Sequence, residues 1–265
     1  MIGHLSFLHV RQRSEFVNPQ GRLVELHTAG PAENMAIDQA LLESVDAGGR
    51  PVLRLYAWSE PTLSIGYFQK IADRSEHSES KGLTCVRRST GGGGIVHHHE
   101  LTYSLAIPSK NASTGPRKDL YEKTHLAMIE SLSGFGVRAI PFRRLGQDSE
   151  VDTDAFLCFQ RRTSEDLIVS GYKVLGSAQR TARHAILQHG SLLMQASRWA
   201  PQRPGVIDLS SRPISIGRLA ERFADALAVA LSVDWRVGEI SVVERGRAAE
   251  IATERFASKR WLTRR

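Results

Sequence analysis

The sequence predicts an α+β fold with a mixed or antiparallel central sheet flanked by helices. Two observations carry this expectation. Segments with strand periodicity follow one another in runs broken by only a few helical ones, so the strict βα alternation of a parallel sheet is missing. The 265 residues, 41% of them hydrophobic and 24% charged, are enough to bury the core of one large domain. Residues 1–20 read as an N-terminal extension with little pattern, 21–240 as the main domain, and 241–265 as a charged helix belonging to that same domain.

Taken in order, 22–27 alternates as a strand should, and Gly30-Pro31 then breaks the chain. A helix is expected over 33–45, with Ile37, Leu41 and Val45 on one face. Strands are expected over 52–58 and 62–67, and again over 83–88 and 95–108 on either side of a glycine run. The pattern gives a loop over 109–118, a helix over 120–135 closed by glycines, a short strand over 137–142 and an acidic loop over 146–154. Three strands follow over 155–159, 166–169 and 172–175, the last two joined by a Ser170-Gly171 hairpin turn. The chain is expected to leave the sheet at 176–179 and return to it over 185–194. After a proline-rich loop (198–216) come an amphipathic helix over 216–231, with Leu219, Phe223, Leu227 and Ala230 inward, and a charged helix over 244–259.

Composition limits the function classes. No apolar run approaches membrane-spanning length, and the first ten residues lack the basic start and small-residue cleavage site of a signal peptide. A cytoplasmic location is therefore expected, without membrane partners. The two cysteines, Cys85 and Cys158, fit free thiols in a reducing compartment, and the sequon at Asn111 is then without consequence. The net charge is +7, from 35 basic against 28 acidic residues. For any one basic cluster the first reading is a solvated surface. No basic helix, zinc knuckle or aromatic-interleaved RNA motif accompanies the charge, so nucleic acid is not expected, and an acidic protein partner suits the pattern equally well.

The stretch around which the chain is organised is Arg87-Arg88-Ser89-Thr90-Gly91-Gly92-Gly93-Gly94. Four glycines exceed the needs of a hairpin and are costly to order, which suits a backbone that must approach a ligand closely. The run lacks the Lys-Ser/Thr of a phosphate-binding P-loop and the spacing of a dinucleotide fingerprint. Arg87 and Arg88 stand ready to meet a carboxylate or phosphate. His97-His98-His99 brings no zinc-binding spacing with it. On a strand, His97 and His99 would share one side, with His97 as a polar wall of the pocket. Cys158 lies in an apolar segment and reads, by itself, as a buried inert thiol. Lys173 follows across the proposed hairpin. If it points into the same pocket, its ammonium favours a thiolate at Cys158 or polarises an acyl oxygen. Cys85 reads as structural.

Five stretches, taken together and in order, resemble the biotin/lipoate protein ligase catalytic-domain family. They are 34–38 (NMAID), 56–69 (YAWSEPTLSIGYFQ), 87–93 (RRSTGGG), 171–180 (GYKVLGSAQR) and 187–191 (LQHGS). The resemblance implies that family's α+β catalytic domain over 21–240, a medium-chain acyl group as substrate, and a carrier-domain lysine as its destination. Glu100-Leu101-Thr102-Tyr103-Ser104 and the Leu157-Cys158-Phe159 context are similar to the cysteine octanoyltransferases of the family, which places the nucleophile at Cys158 and its partner at Lys173. Carried over residue by residue, the substrate-binding positions are Arg87, Arg88, Thr90, Gly91, Gly92, Gly93, Gly94, His97, Gly176, Ser177, Ala178, Gln188, His189 and Gly190. His189 is an alternative proton shuttle. One departure is a glycine at 93, where those transferases commonly carry an arginine.

The resemblance further implies octanoyl-acyl carrier protein as donor and a lipoyl domain or the glycine cleavage H protein as acceptor, both tending to be acidic. No cofactor is required for such a transfer. An ATP- and magnesium-dependent lipoate ligase, an amidotransferase between lipoyl domains and a non-catalytic scaffold are the competing readings. Ligases of the family generally add a C-terminal accessory domain, for which the stretch after Leu231 is short. Eight carbons, at about 0.8 kcal/mol per methylene, supply ample binding energy for chain-length selection.

Overall fold

A computed structural model describes residues 18–109, 114–146 and 155–265. Most of the expected N-terminal extension and of the acidic loop lies outside the described residues. The elements run β1 (Gln20–Ala29), α1 (Pro31–Asp46), β2 (Val52–Trp58), β3 (Thr62–Ile65), β4 (Thr84–Arg87), β5 (Ile95–His97), β6 (Glu100–Pro108) and α2 (Thr114–Ser133). They continue with β7 (Ile140–Pro141), β8 (Leu167–Val169), β9 (Tyr172–Thr181), β10 (Ala185–Leu193), α3 (Val206–Ser210), α4 (Ile216–Leu231), β11 (Asp234–Val237), α5 (Val242–Ile251) and α6 (Lys259–Leu262).

Two sheets result. The larger has the order β11-β1-β2-β6-β10-β9-β8-β7, and the smaller has β4-β3-β5. Parallel pairs (β11 with β1, β1 with β2, β3 with β4) stand beside antiparallel ones, so both sheets are mixed, as the sequence predicts. On one face of the large sheet, the apolar stripe of α4 (Leu219, Phe223, Leu227) packs with Met128 and Leu132 of α2. On the other face lies α1, started by Pro31 at its first turn and buried on nearly all sides between the sheet and α5. The small sheet shares its core with Phe156 and Leu157. Ser170 and Gly171, both at positive φ, form the expected turn between β8 and β9.

Several expected elements differ. The strand drawn over 95–108 is broken at His98 and His99, where His99 takes φ +51°, so β5 joins the small sheet and β6 the large one. His97 and His99 therefore do not share a strand face. Residues 155–159 form no strand; they lie across the small sheet, tied by a single parallel bridge between Gly94 and Leu157, and a 3-10 turn occupies Cys158–Gln160. Residues 176–179 stay in the sheet, because β9 runs on to Thr181 against β10. The strand expected over 137–142 shrinks to β7, and α2 begins earlier than expected. The proline-rich loop contains α3, and the charged helix divides into α5, a π-helical turn over Ala252–Phe256 and α6. Short, exposed β11 has no core-facing alternation, which is why its pattern carries no strand signal.

Candidate active site

A cavity of about 420 Å3, counted with its mouth, opens between the two sheets. Its apolar wall comes from Met35 of α1, Tyr56 and Trp58 of β2 and Ile95 of β5. Bare backbone supplies much of a second wall, from Gly91 and Gly92 on one side and Gly176 and Gly190, with the methyl of Ala178, on the other. Cys158, Arg88, His97, Thr102, Ser177, His189 and Ser191 complete the lining.

The glycine run is shaped by what it grips. Gly92 has φ +92°, a conformation that L side chains rarely adopt. At Gly93 an added Cβ would lie 2.8 Å from both the Cys158 nitrogen and the Phe156 oxygen. Gly94 N–H donates to Phe156 O at 2.7 Å, and Cys158 N–H donates to Gly94 O at 2.7 Å. The run thus holds the cysteine segment by its main chain, and an arginine at 93 would require that segment to move.

Lys173 does point inward, and Gly176 leaves room for it: a Cβ there would sit 2.8 Å from Lys173 Cε. Its Nζ lies 3.8 Å from Cys158 Sγ and donates to Cys158 O at 3.2 Å and Arg161 O at 3.1 Å. It also forms a 2.7 Å ion pair with Asp166, both side chains being almost fully buried. The sequence reading overlooked Asp166. A lysine folded inside a protein needs a counter-charge, and that requirement is the signal that could have found it.

Arg88 is buried and serves the loop. Its guanidinium donates to Gly91 O and Gly93 O, each at 2.9 Å, and to Ser64 O and Oγ, each at 2.8 Å. Burial brings it down to about 10, so it stays charged at neutral pH. Beside it, His97 donates from Nδ1 to Glu100 (2.5 Å) and accepts at Nε2 from Ser64 Oγ (2.7 Å). Trp58 stacks on the His97 ring at 3.9 Å between centroids. Burial holds the His97 imidazole below its ordinary value, with Glu100 opposing.

His189 is oriented by Asp38 at Nδ1 (3.3 Å) and by Thr90 Oγ1 at Nε2 (2.7 Å). Burial raises the Asp38 carboxyl, but Arg54, 2.7 Å away, and His189 more than offset this and leave it below its ordinary range. Behind Ser177 runs a directed chain. Gln188 Nε2 donates to Tyr103 Oη (2.9 Å), and the Tyr103 and Ser177 hydroxyls meet at 2.6 Å. His125 Nδ1 donates to Glu165 O (2.6 Å), so its Nε2 accepts from Ser177 Oγ at 2.7 Å and Tyr103 donates to Ser177. Burial pushes His125 down to about 3 and Tyr103 up to about 12, which keeps both neutral.

Of the residues singled out in the sequence, Arg88, Gly91, Gly92, His97, Cys158, Gly176, Ser177, Ala178, His189 and Gly190 line the cavity. Lys173, Thr90, Gly93 and Gly94 stand behind it and hold residues that do. Among the described residues Gln188 reaches only Tyr103 and Gln179 with its side chain. Arg87 turns away altogether and donates to the carbonyls of Gly66, Gln69 and, on α6, Leu262, so it clamps backbone and has no free face for an anion. Cys85 lies on β4 with its thiol pushed up by burial. Among the described residues no group of three or more His, Cys, Asp or Glu side chains could hold a metal ion, and no helix is long and apolar enough to cross a membrane.

The lipoyl protein ligase A/B catalytic domain model matches residues 30–202. Octanoyltransferase LipM of Carboxydothermus hydrogenoformans is 30% identical, covering 92% of this chain and 98% of its own. LipM of Brevibacillus brevis is 31% identical, covering 93% and 99%. In three dimensions the chain is similar to a bi-partite lipoate protein ligase of Thermoplasma acidophilum, with TM-score 0.74 at 21% identity over 92% of this chain and 96% of that one. The chain belongs to the lipoyl protein ligase A/B catalytic-domain family, and within it is an acyltransferase that moves octanoyl groups.

Proposed function

We propose that Cys158 is the nucleophile and that the octanoyl group passes through a thioester on its sulfur. The observation that carries this reading is an Sγ facing an apolar cavity with a lysine ammonium 3.8 Å away. The Cys158 sulfur gives up its proton and attacks the carbonyl carbon of octanoyl-acyl carrier protein; the carrier's C–S bond breaks, and its sulfur takes that proton and leaves as a thiol. The amine of a lysine on a lipoyl domain, or on the glycine cleavage H protein, then attacks the acyl-enzyme. The C–S bond breaks, an amide forms, and the amine's proton returns to the sulfur. Thioester exchange is nearly balanced and amide formation runs downhill, so ATP, magnesium or another cofactor is not needed. Lys173 places positive charge where the acyl oxygen becomes negative.

What supports an acceptor of this class is the solved bi-partite ligase, whose structure is described with its E2 lipoyl domain. In this reading residues 21–240 form the catalytic domain, 241–265 pack as part of it, and the enzyme works in the cytoplasm beside both carriers. Intact mass after incubation with octanoyl-acyl carrier protein tests it. One octanoyl group should be added, removed by hydroxylamine and absent from Cys158→Ala. Mass gained only with ATP and free acid, as an adenylate, would replace the transferase with a ligase.

A further inference from the structure

Outside the cavity, one surface combines charge, order and position. Arg264 lies over the rings of both Tyr67 (4.1 Å) and Trp261 (4.7 Å). Arg255 covers Trp261 at 5.1 Å, Arg265 covers Phe68 at 5.4 Å and Arg180 covers Tyr67 at 5.8 Å. Four guanidinium groups are thus spread over three rings, and Phe68 is 66% exposed among them. Such stacking fixes long side chains in advance, so less freedom is lost when a partner arrives.

Positive charge outweighs negative here, with Glu254 as the acidic side chain among Arg247, Arg255, Arg260 and Arg264. Among the described residues neither Arg180, Arg255, Arg264 nor Arg265 makes an ion pair, whereas nearby Arg247 is paired with Glu43 and Glu250. Burial and then the like charge of Arg180 lower Arg255; Glu43 opposes them, and Arg247 and Arg264 add to the lowering. Holding like charges together costs stability, and an acidic partner would recover that cost.

The surface also adjoins the mouth. Tyr67 N–H donates to Thr90 O at 2.8 Å, and Arg180 donates to Ser89 O at 2.9 Å. A Cβ on cavity-lining Gly91 would touch Phe68 at 3.8 Å, and Arg180 shares β9 with cavity-lining Ala178.

We propose that this basic, aromatic-backed face around Tyr67, Phe68 and Trp261 docks an acidic carrier protein that delivers the acyl thioester on its flexible arm. The assignment to the donor rests on the transfer reading above and on reach. A thioester on a long arm can enter from a carrier seated beside the mouth, whereas an acceptor lysine, with its short side chain, requires its domain directly over it.

The test compares two donors with Arg255→Glu/Arg264→Glu, a variant that leaves every cavity residue in place. With octanoyl-acyl carrier protein the variant should acylate with kcat/KM lowered at least tenfold and with most of the salt dependence gone. With octanoyl-N-acetylcysteamine, a small neutral thioester, it should match the parent protein. Arg255→Gln/Arg264→Gln should fall between the two, which separates charge from a folding defect. Equal rates with both donors, an equal loss with both, or a loss confined to transfer onto the acceptor would each overturn the proposal. Fluorescence anisotropy of labelled acyl carrier protein is read in parallel. Salt-sensitive binding that the variant loses supports the surface even if no acyl-enzyme forms, an outcome that would defeat only the Cys158 reading.

Discussion

Lys173 spends its three protons on Asp166, Cys158 O and Arg161 O, with the sulfur as its fourth neighbour. An acyl oxygen arriving at Cys158 must therefore take one of those protons from a backbone carbonyl, and Lys173→Met should remove that donor. Rapid-quench measurement of acyl-enzyme formation should then show a loss of about 10²–10³ in rate. Asp166→Asn leaves the cation buried without its counter-charge, and should lower stability by about 3–5 kcal/mol in a denaturant titration. The sulfur and the amine were legible in the sequence because a family pattern surrounds each. Their geometry was not. The apolar residues of 155–159 imitate a strand, and Lys173 turns inward to a counter-charge, Asp166, that no local pattern announces.

At the level of elements, the glycine run acts as a clasp on the cysteine segment. Gly93→Ala puts a methyl group 2.8 Å from two backbone atoms that cannot rotate away. The strain is of the order of 1–3 kcal/mol, relieved by moving Cys158. Octanoylation should slow at least tenfold while the circular dichroism spectrum is unchanged. Most helices and long strands were readable from periodicity, α4 to its end residues. Two of the misread segments lie where the chain leaves one sheet or belongs to neither: His98-His99, between β5 and β6, and 155–159. Local pattern reports which residues are buried, not which of two sheets buries them.

For the whole molecule, acid should lower stability through two overlapping titrations. His125 takes up its proton near 6.5 in an unfolded chain but only near 3 when buried, so the unfolded state binds the extra proton between those values and stability falls as pH drops through them. Glu244, held at about 2 by Arg22 and Ser241 against the opposing effect of burial, contributes stability above its ordinary 4.5 that is lost as pH falls toward 2. Melting temperature followed from pH 7 to 3 should decline throughout. His125→Gln should flatten the upper part of the curve, and Glu244→Gln the part below about 4.5. The fold class was readable because strand runs and helix faces are local properties. The Asp38–Arg54 pair and the His125 chain were not, since their members meet only after the sheets close.

Adjacent Arg87 and Arg88 face in opposite directions, one anchored to the carbonyl of Leu262 and the other to those of Gly91 and Gly93. A single peptide unit is therefore the axle between the C-terminal helical turn and the cradle of the reactive sulfur. Whatever leans on that turn also leans on the cradle.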